Sequence, residues 1–242
     1  MSRRRFLLEI PPAGQSAILS GAEAHHLVHV LRAEPGFRLE LMDGKGKVWE
    51  GSVEAVEEGL VRLNGLRLLE PAPSNPPKLI LVQALPKADK LEWILEKTTE
   101  LGIDEIYLLE AQRSVVKIPS DRLENKMERW RKILLSAAKQ CHRTTLPILY
   151  PPGGCGAFAS SVPADLKILF SGNESGTLLK SLLSGTHHAS VACCIGPEGG
   201  WTAKEETCLK DSGYVAASLG HTILRTETAA IAALAILRYE LG

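Results

Sequence analysis

The sequence predicts an α/β protein in two parts. A small N-terminal β-barrel carrying one helix comes first, and a larger, mostly parallel sheet with helices on both faces follows. Three observations carry this. Short strand-like runs dominate the first 70 residues. The segment Pro71-Ala72-Pro73-Ser74-Asn75-Pro76-Pro77 then interrupts the chain, and so many prolines continue neither a helix nor a central strand. Beyond it, apolar runs alternate with helical patterns, as in strands joined by crossover helices. The expected division is 1–70, a stiff linker at 71–77, and 78–242.

In the first part, Phe37 to Met42 and Lys47 to Val56 read as strands around an Asp43-Gly44-Lys45-Gly46 turn. Leu60 to Leu69 alternates as a further strand. Ser20-Gly21-Ala22-Glu23 has the form of a capping box, with Ser20 as N-cap, opening a helix that runs to about Leu31. In the second part, Leu79 to Leu85 is an apolar strand. A helix from Ala88 to Leu101 follows and stops at Gly102. Ile106 to Leu109 is the next strand, then a long helix spans Ser120 to Cys141. Leu166 to Phe170, Ser190 to Ile195 and Tyr214 to Leu219 are three later strands, and Thr202-Ala203-Lys204-Glu205 caps an intervening helix. The last helix, Thr226 to Leu241, is apolar on nearly all sides, which predicts burial in the core or between subunits.

Composition sets the outer limits. The 242 residues carry 28 Lys+Arg against 28 Asp+Glu, and 45% are hydrophobic. Such a chain is not disordered and buries a sizeable core without disulfides or metals. Zero net charge excludes a uniformly basic coat for nucleic acid, though not a local basic face. The start lacks the long apolar region of a secretory signal. The longest apolar run, Ala229 to Leu237, is roughly half a membrane span. Cys141, Cys155, Cys193, Cys194 and Cys208 form no metal-finger spacing, and Cys193 and Cys194 read as small buried hydrophobes. The sequon Asn173-Glu174-Ser175 matters only in a secreted chain. The expectation is a soluble protein of the reducing cytoplasm, with no membrane and no metal.

Ligands of open α/β sheets collect beyond the carboxyl ends of the strands. Two such ends are rich in glycine and charge. One is Gly196-Pro197-Glu198-Gly199-Gly200 after Ile195. The other is Gly220-His221-Thr222-Ile223-Leu224-Arg225-Thr226-Glu227-Thr228 after Leu219. Glycines allow close backbone approach, and a helix beginning at Arg225 or Thr226 offers free N–H groups to an anionic group. Phosphate-loop, dinucleotide and nucleophile-elbow motifs are absent. His25, His26 and His29 share one helical turn without a Cys or carboxylate to complete a metal site, so a surface or RNA-facing role is expected of them.

The long helix carries a buried stripe of Leu123, Met127, Trp130, Leu134, Ala137 and Cys141. Beside it run Arg122, Lys126, Arg129, Lys132, Lys139 and Arg143. From Arg113 to Arg143 there are nine Lys+Arg and three Asp+Glu, an excess of six positive charges in a neutral chain. With Arg3, Arg4 and Arg5, this points to a polyanionic partner, against the plainer alternative of a solvated helix face.

The segments 195–200 and 219–229 together resemble the cofactor loops of the RsmE family, the small-subunit ribosomal RNA uridine-N3 methyltransferases of the SPOUT class. Arg5-Phe6, His25-His26-Leu27, Val30-Leu31-Arg32 and Asp43-Gly44 are similar to that family's PUA-type RNA-binding barrel. Lys87 to Gly102, Gln112-Arg113-Ser114 and Arg129-Trp130 through Gln140-Cys141-His142-Arg143 resemble its catalytic domain. Lys139 departs from the pattern, since the family more often has Glu there.

The resemblance implies a trefoil knot, a homodimer, S-adenosylmethionine as cofactor and ribosomal RNA as partner. It assigns the cofactor to Leu169, Phe170, Gly172, Ile195, Gly196, Pro197, Glu198, Gly199, Gly200, Leu219, Gly220, Ile223, Leu224, Arg225, Thr226 and Ala229. RNA contacts are expected from Arg5, His25, His26, Arg32, Arg113, Arg129, Lys132, Gln140 and Arg143. Arg225 is the candidate to stabilise charge on the uridine oxygens, and Glu198 to orient the methionine amino group or a loop rather than act as base. A non-catalytic RNA-binding module with a knotted dimerisation domain is the alternative from another class, and intact glycine loops argue against it.

Overall fold

A computed structural model describes residues 4–57, 59–69, 76–171, 177–184 and 187–242. Arg3, most of the proline-rich segment, Gly172 and the Asn173 sequon lie outside the described residues. The chain divides into two compact units. Met1–Ser74 and Ala138–Leu146 form one, and Asn75–Ala137 and Pro147–Gly242 form the other.

In the N-terminal unit, β1 (Arg5–Leu7), β2 (Ala17–Leu19), β3 (Arg38–Met42), β4 (Val48–Glu57) and β5 (Leu60–Leu69) make one sheet in the order β1-β3-β4-β5-β2. All neighbours pair antiparallel except β1 with β3. The resulting half-barrel closes over Phe6, Leu27, Leu39, Leu41 and Leu63, each no more than 1% exposed. The β3–β4 turn is fixed by Asp43, whose carboxylate accepts from the N–H groups of Lys45 and Lys47 at 2.8 and 3.0 Å. Segment 138–146 joins this unit because Leu146 N–H donates to Gly44 and Gly46 N–H donates to Thr144.

The helix expected to run from Ser20 to Leu31 has that extent but is differently built. It comprises α1 (Gly21–His25) and a π-helical turn at His26–Val30. The capping box does not form: Ser20 makes no side-chain cap. Glu23 instead accepts from Leu7 N–H at 3.2 Å and from Lys139 Nζ at 2.8 and 2.9 Å. A charge-assisted pair from a distant segment outcompetes the local cap.

Among the described residues the C-terminal unit holds seven strands: β6 (Lys78–Ala84), β7 (Glu105–Glu110), β8 (Ile148–Gly154), β9 (Leu166–Phe170), β10 (Thr177–Leu178), β11 (Ser190–Ile195) and β12 (Tyr214–Ser218). They run parallel in the order β10-β12-β9-β11-β6-β7-β8. The helices are α2 (Ala88–Glu100), α3 (Ser120–Gln140), α4 (Cys155–Ala159), α5 (Leu179–Leu183), α6 (Ala203–Asp211) and α7 (Thr226–Leu241). Side chains of β6 alternate between faces, as a doubly covered sheet requires. Leu79 and Leu81 join α2, α3, α5 and α7 on one side. Ile80 and Val82 meet α4 and α6 on the other. Cys193 and Cys194 are fully buried, and burial pushes the Cys193 thiol up to about 12. Among the described residues no helix is long and apolar enough to cross a membrane.

Candidate functional site

Parallel pairing brings the carboxyl ends of the strands to one edge. Phe170 lies opposite Ile195 on one side and Ala217 on the other, and Ile195 lies opposite Gln83. The loops after β12, β9, β11 and β6 therefore leave side by side. Leu169 is fully buried, Ile195 is 2% exposed and Phe170 9%. These three shape the sheet edge and can offer a ligand little beyond backbone. Gly172 lies outside the described residues.

The 196–200 loop is braced by protein on several sides. Arg113 Nη1 donates to the carbonyls of Gly199 and Trp201, each at 3.1 Å. Glu205 closes the expected capping box with Thr202 and also accepts from Gln112 N–H at 2.7 Å. Burial pushes the Glu205 carboxyl upward, but these N–H groups outweigh it and hold the group below its ordinary value. A Cβ on Gly196 would stand 3.0 Å from the Trp201 indole, and one on Gly199 would stand 2.9 Å from Arg113 Cβ. Packing within the loop thus already requires these two glycines. Gly200 has φ +68° with open space around it, so its requirement is conformational.

The second loop leads into α7. Arg225 is the N-cap residue. Its side chain is exposed, with no hydrogen bond or ion pair among the described residues. Gly220 and Ile223 are exposed, and Leu219, Leu224 and Ala229 are half-buried. Thr226 Oγ1 donates to the Gly196 carbonyl at 2.7 Å and accepts from Gln83 Nε2 at 3.1 Å. Lys90 Nζ lies 3.2 Å from both Glu198 and Glu227. Glu198 also accepts from Lys87 N–H at 3.4 Å. Burial alone would raise the Glu198 carboxyl, yet backbone N–H groups and Lys90 hold it below the usual range.

Gln83, Lys90 and Trp201 escaped the sequence reading, and Glu227 lay in the expected loop without a role. Gln83 had a signal, as a lone polar residue inside an apolar strand. The contacts of the others span distant segments. Pro197 is buried, and Gln83 Oε1 and Ser114 Oγ are buried atoms without a partner among the described residues. Exposed glycine backbone and a free cation at one sheet edge suit a polar organic ligand with charged ends.

The residues expected to touch RNA divide into two groups. His25, His26, Arg32, Arg129, Lys132 and Gln140 are exposed. His25 and His29 rings lie 4.5 Å apart, and His26 packs edge-on to Phe6. Arg129 pairs with Glu92 at 2.7 Å and Lys132 with Glu128 at 2.6 Å. Such exposed pairs open at little cost. Arg5 and Arg113 are also tied into the protein. Arg5 has an 8% exposed side chain, pairs with Glu40 at 2.7 Å and donates to the Arg143 carbonyl, so it serves the fold. Arg113 is exposed and also holds the glycine loop through Nη1. Arg143 is half-buried and donates to Thr145.

A family model described as an RNA methyltransferase domain matches residues 73–238, and one described as an RNA methyltransferase PUA domain matches residues 19–64. The chain is 34% identical to Ribosomal RNA small subunit methyltransferase E of Mycobacterium bovis, over 93% of this chain and 87% of that protein. The chain belongs to the ribosomal RNA small subunit methyltransferase E family. A Neisseria gonorrhoeae protein of that family name, solved bound to S-adenosyl methionine, superposes with a TM-score of 0.90 at 30% identity, covering 100% of this chain and 99% of that one. A Legionella pneumophila methyltransferase, solved in complex with the cofactor SAM, gives 0.89 at 33% identity, covering 99% and 98%. The resemblance read from the glycine loops is thus borne out, as is the α/β architecture of the family.

Proposed function

We propose that this protein transfers a methyl group from S-adenosylmethionine to N3 of a uridine in small-subunit (16S) ribosomal RNA. The observation that carries the reading is the adjacency of the carboxyl ends of β9, β11 and β12, with Gly196 after β11 latched to Thr226 in the first turn of α7. In this reading the segments that follow these strands hold the cofactor, with Phe170, residues 195–200 and residues 219–229 around it. The cofactor supplies an electrophilic methyl on a sulfonium.

The chain's own groups align donor and acceptor and handle charge. Loss of the N3 proton to water spreads negative charge onto the uridine oxygens, and Arg225, a free cation at a helix start, stabilises it. Glu198, held ionised by Lys90 and N–H groups, is a weak base. It suits orienting an ammonium or the loop better than taking the proton. The N-terminal unit and the basic side of α3 grip phosphates through His25, His26, Arg32, Arg129, Lys132, Gln140 and Arg143, with the target nucleotide unstacked to reach the donor.

The reading carries with it the trefoil knot, a cytoplasmic location and a homodimer. For the dimer, α2 and α7 flank a largely apolar groove of about 430 Å³ lined by Trp93, Leu101, Thr228 and Ile231. Trp93 is 49% exposed, and such a patch suits a symmetric partner. Calorimetry with S-adenosylmethionine tests the cofactor. One molecule bound per chain is expected, and absence of binding at millimolar ligand overturns the reading.

A further inference from the structure

Gln83 is fully buried in β6, between the apolar residues Val82 and Ala84. Its amide nitrogen donates to the Ala84 carbonyl at 2.8 Å and to Thr226 Oγ1 at 3.1 Å. The Ala84 carbonyl needs a donor, which fixes the amide with its NH2 on that side. Thr226 Oγ1 then accepts a hydrogen bond from Gln83 and donates its own to the Gly196 carbonyl, at 2.7 Å. The direction of the relay is set end to end, and it joins the ends of three segments far apart in sequence.

Stability alone does not explain an amide here. Gln83 Oε1 is buried with no partner among the described residues, and a buried acceptor without a donor penalises the folded state. An apolar side chain of similar length would avoid that penalty. What the amide uniquely provides is its donor half, which holds Thr226 in the one arrangement that pins Gly196.

We infer that Gln83 is a positioning residue for methyl transfer, acting through Thr226 to fix the Gly196 carbonyl and so the path of the backbone over 197–200. This rests on the reading that the 196–200 loop holds S-adenosylmethionine. A loop set before the ligand arrives loses less entropy on binding. Gln83 therefore governs cofactor affinity rather than the chemical step.

The test compares wild type, Gln83→Met, Thr226→Val and Thr226→Ser by S-adenosylmethionine calorimetry, thermal denaturation and steady-state methylation of small-subunit RNA. Loss of one hydrogen bond in the relay raises Kd and KM for S-adenosylmethionine about tenfold in Gln83→Met and Thr226→Val, with kcat changed less than about twofold. Thr226→Ser, which keeps the hydroxyl, recovers most of the affinity lost in Thr226→Val. Wild type that binds normally beside Gln83→Met of unchanged Kd overturns the inference, whatever the melting temperature does. Wild type that does not bind overturns the functional reading beneath it. If Gln83→Met does not fold, equal affinities for Thr226→Val and Thr226→Ser overturn the inference in the same way.

Discussion

The ammonium of Lys90 lies 3.2 Å from Glu198 Oε1, joining α2 to the middle of the first glycine loop. The same ammonium reaches Glu227 in the first turn of α7. Burial lowers the Lys90 pKa, but the two carboxylates outweigh it and raise it. Glu198 moves the other way, below its ordinary value. A depressed carboxyl contributes above its unfolded pKa, about 4.3, and is lost as pH falls through the folded value. A raised lysine contributes below its unfolded pKa, about 10.4, and is lost as pH rises through its folded value. The link is therefore intact from about pH 5 to pH 10. Cofactor affinity is expected to be flat between about pH 6 and pH 9. In Lys90→Met, carboxyl-carbon NMR is expected to show Glu198 titrating higher than in wild type. An unchanged titration would mean that Lys90 does not hold it.

The glycines of the first loop are expected to separate by mechanism. Gly199→Ala meets Arg113 backbone and Cβ and costs about 1–3 kcal/mol by overpacking. Gly200→Ala meets nothing but must adopt φ +68°, at about 1 kcal/mol. Gly196→Val displaces Trp201 and is expected to lower the melting temperature as well as to block the ligand. Thermal denaturation reads the difference. A Gly196→Val protein as stable as wild type would contradict the packing account.

Arg32 has φ 50° and is exposed just after the π-helical turn, with Ala33 N–H donating back to Leu27. Glycine is the residue such a helix end prefers. Arg32→Gly is expected to stabilise the protein by roughly 0.5–1 kcal/mol while weakening RNA binding. Urea denaturation and filter binding would show the opposed signs. A loss of stability would contradict the backbone argument.

The salt dependence of RNA affinity should distinguish the two groups of arginines. Arg129→Ala and Lys132→Ala are each expected to flatten the slope by about one unit. Arg5→Ala leaves Glu40 without its buried partner and is expected to cost about 2 kcal/mol of stability. Unchanged slopes in the first two variants would mean a merely solvated helix face.

Much of the architecture was legible because core strands announce themselves as apolar runs between turns. Leu60–Leu69, Leu166–Phe170 and Ser190–Ile195 form strands with the bounds the sequence suggests. β8 did not, because it contains Pro151 and Pro152, which only an edge strand admits. β1, β2 and β10 are too short to set a period. The attachment of 138–146 to the N-terminal unit depends on pairing with the Gly44–Gly46 turn, which no local pattern encodes. At the site the glycines were visible. The links that hold them, Gln83 to Thr226 and Lys90 to Glu198, bridge 143 and 108 positions, and spacing does not reveal them.

The proposed homodimer rests on the groove between α2 and α7. Ala230, Ala233, Leu234 and Leu237 face the core, while Ile231 and Ala232 line the groove. Light scattering at micromolar concentration is expected to give twice the chain mass of 26.2 kDa, and Ile231→Arg to shift it toward one. A wild-type monomer would contradict the dimer.

Transfer of labelled methyl from S-adenosylmethionine to small-subunit RNA, followed by nucleoside mass spectrometry, tests the central claim most directly. The account predicts a single labelled nucleoside, 3-methyluridine, formed by wild type and reduced at least tenfold by Arg225→Ala. Label on a base carbon or a ribose, or no label on RNA at all, would contradict it.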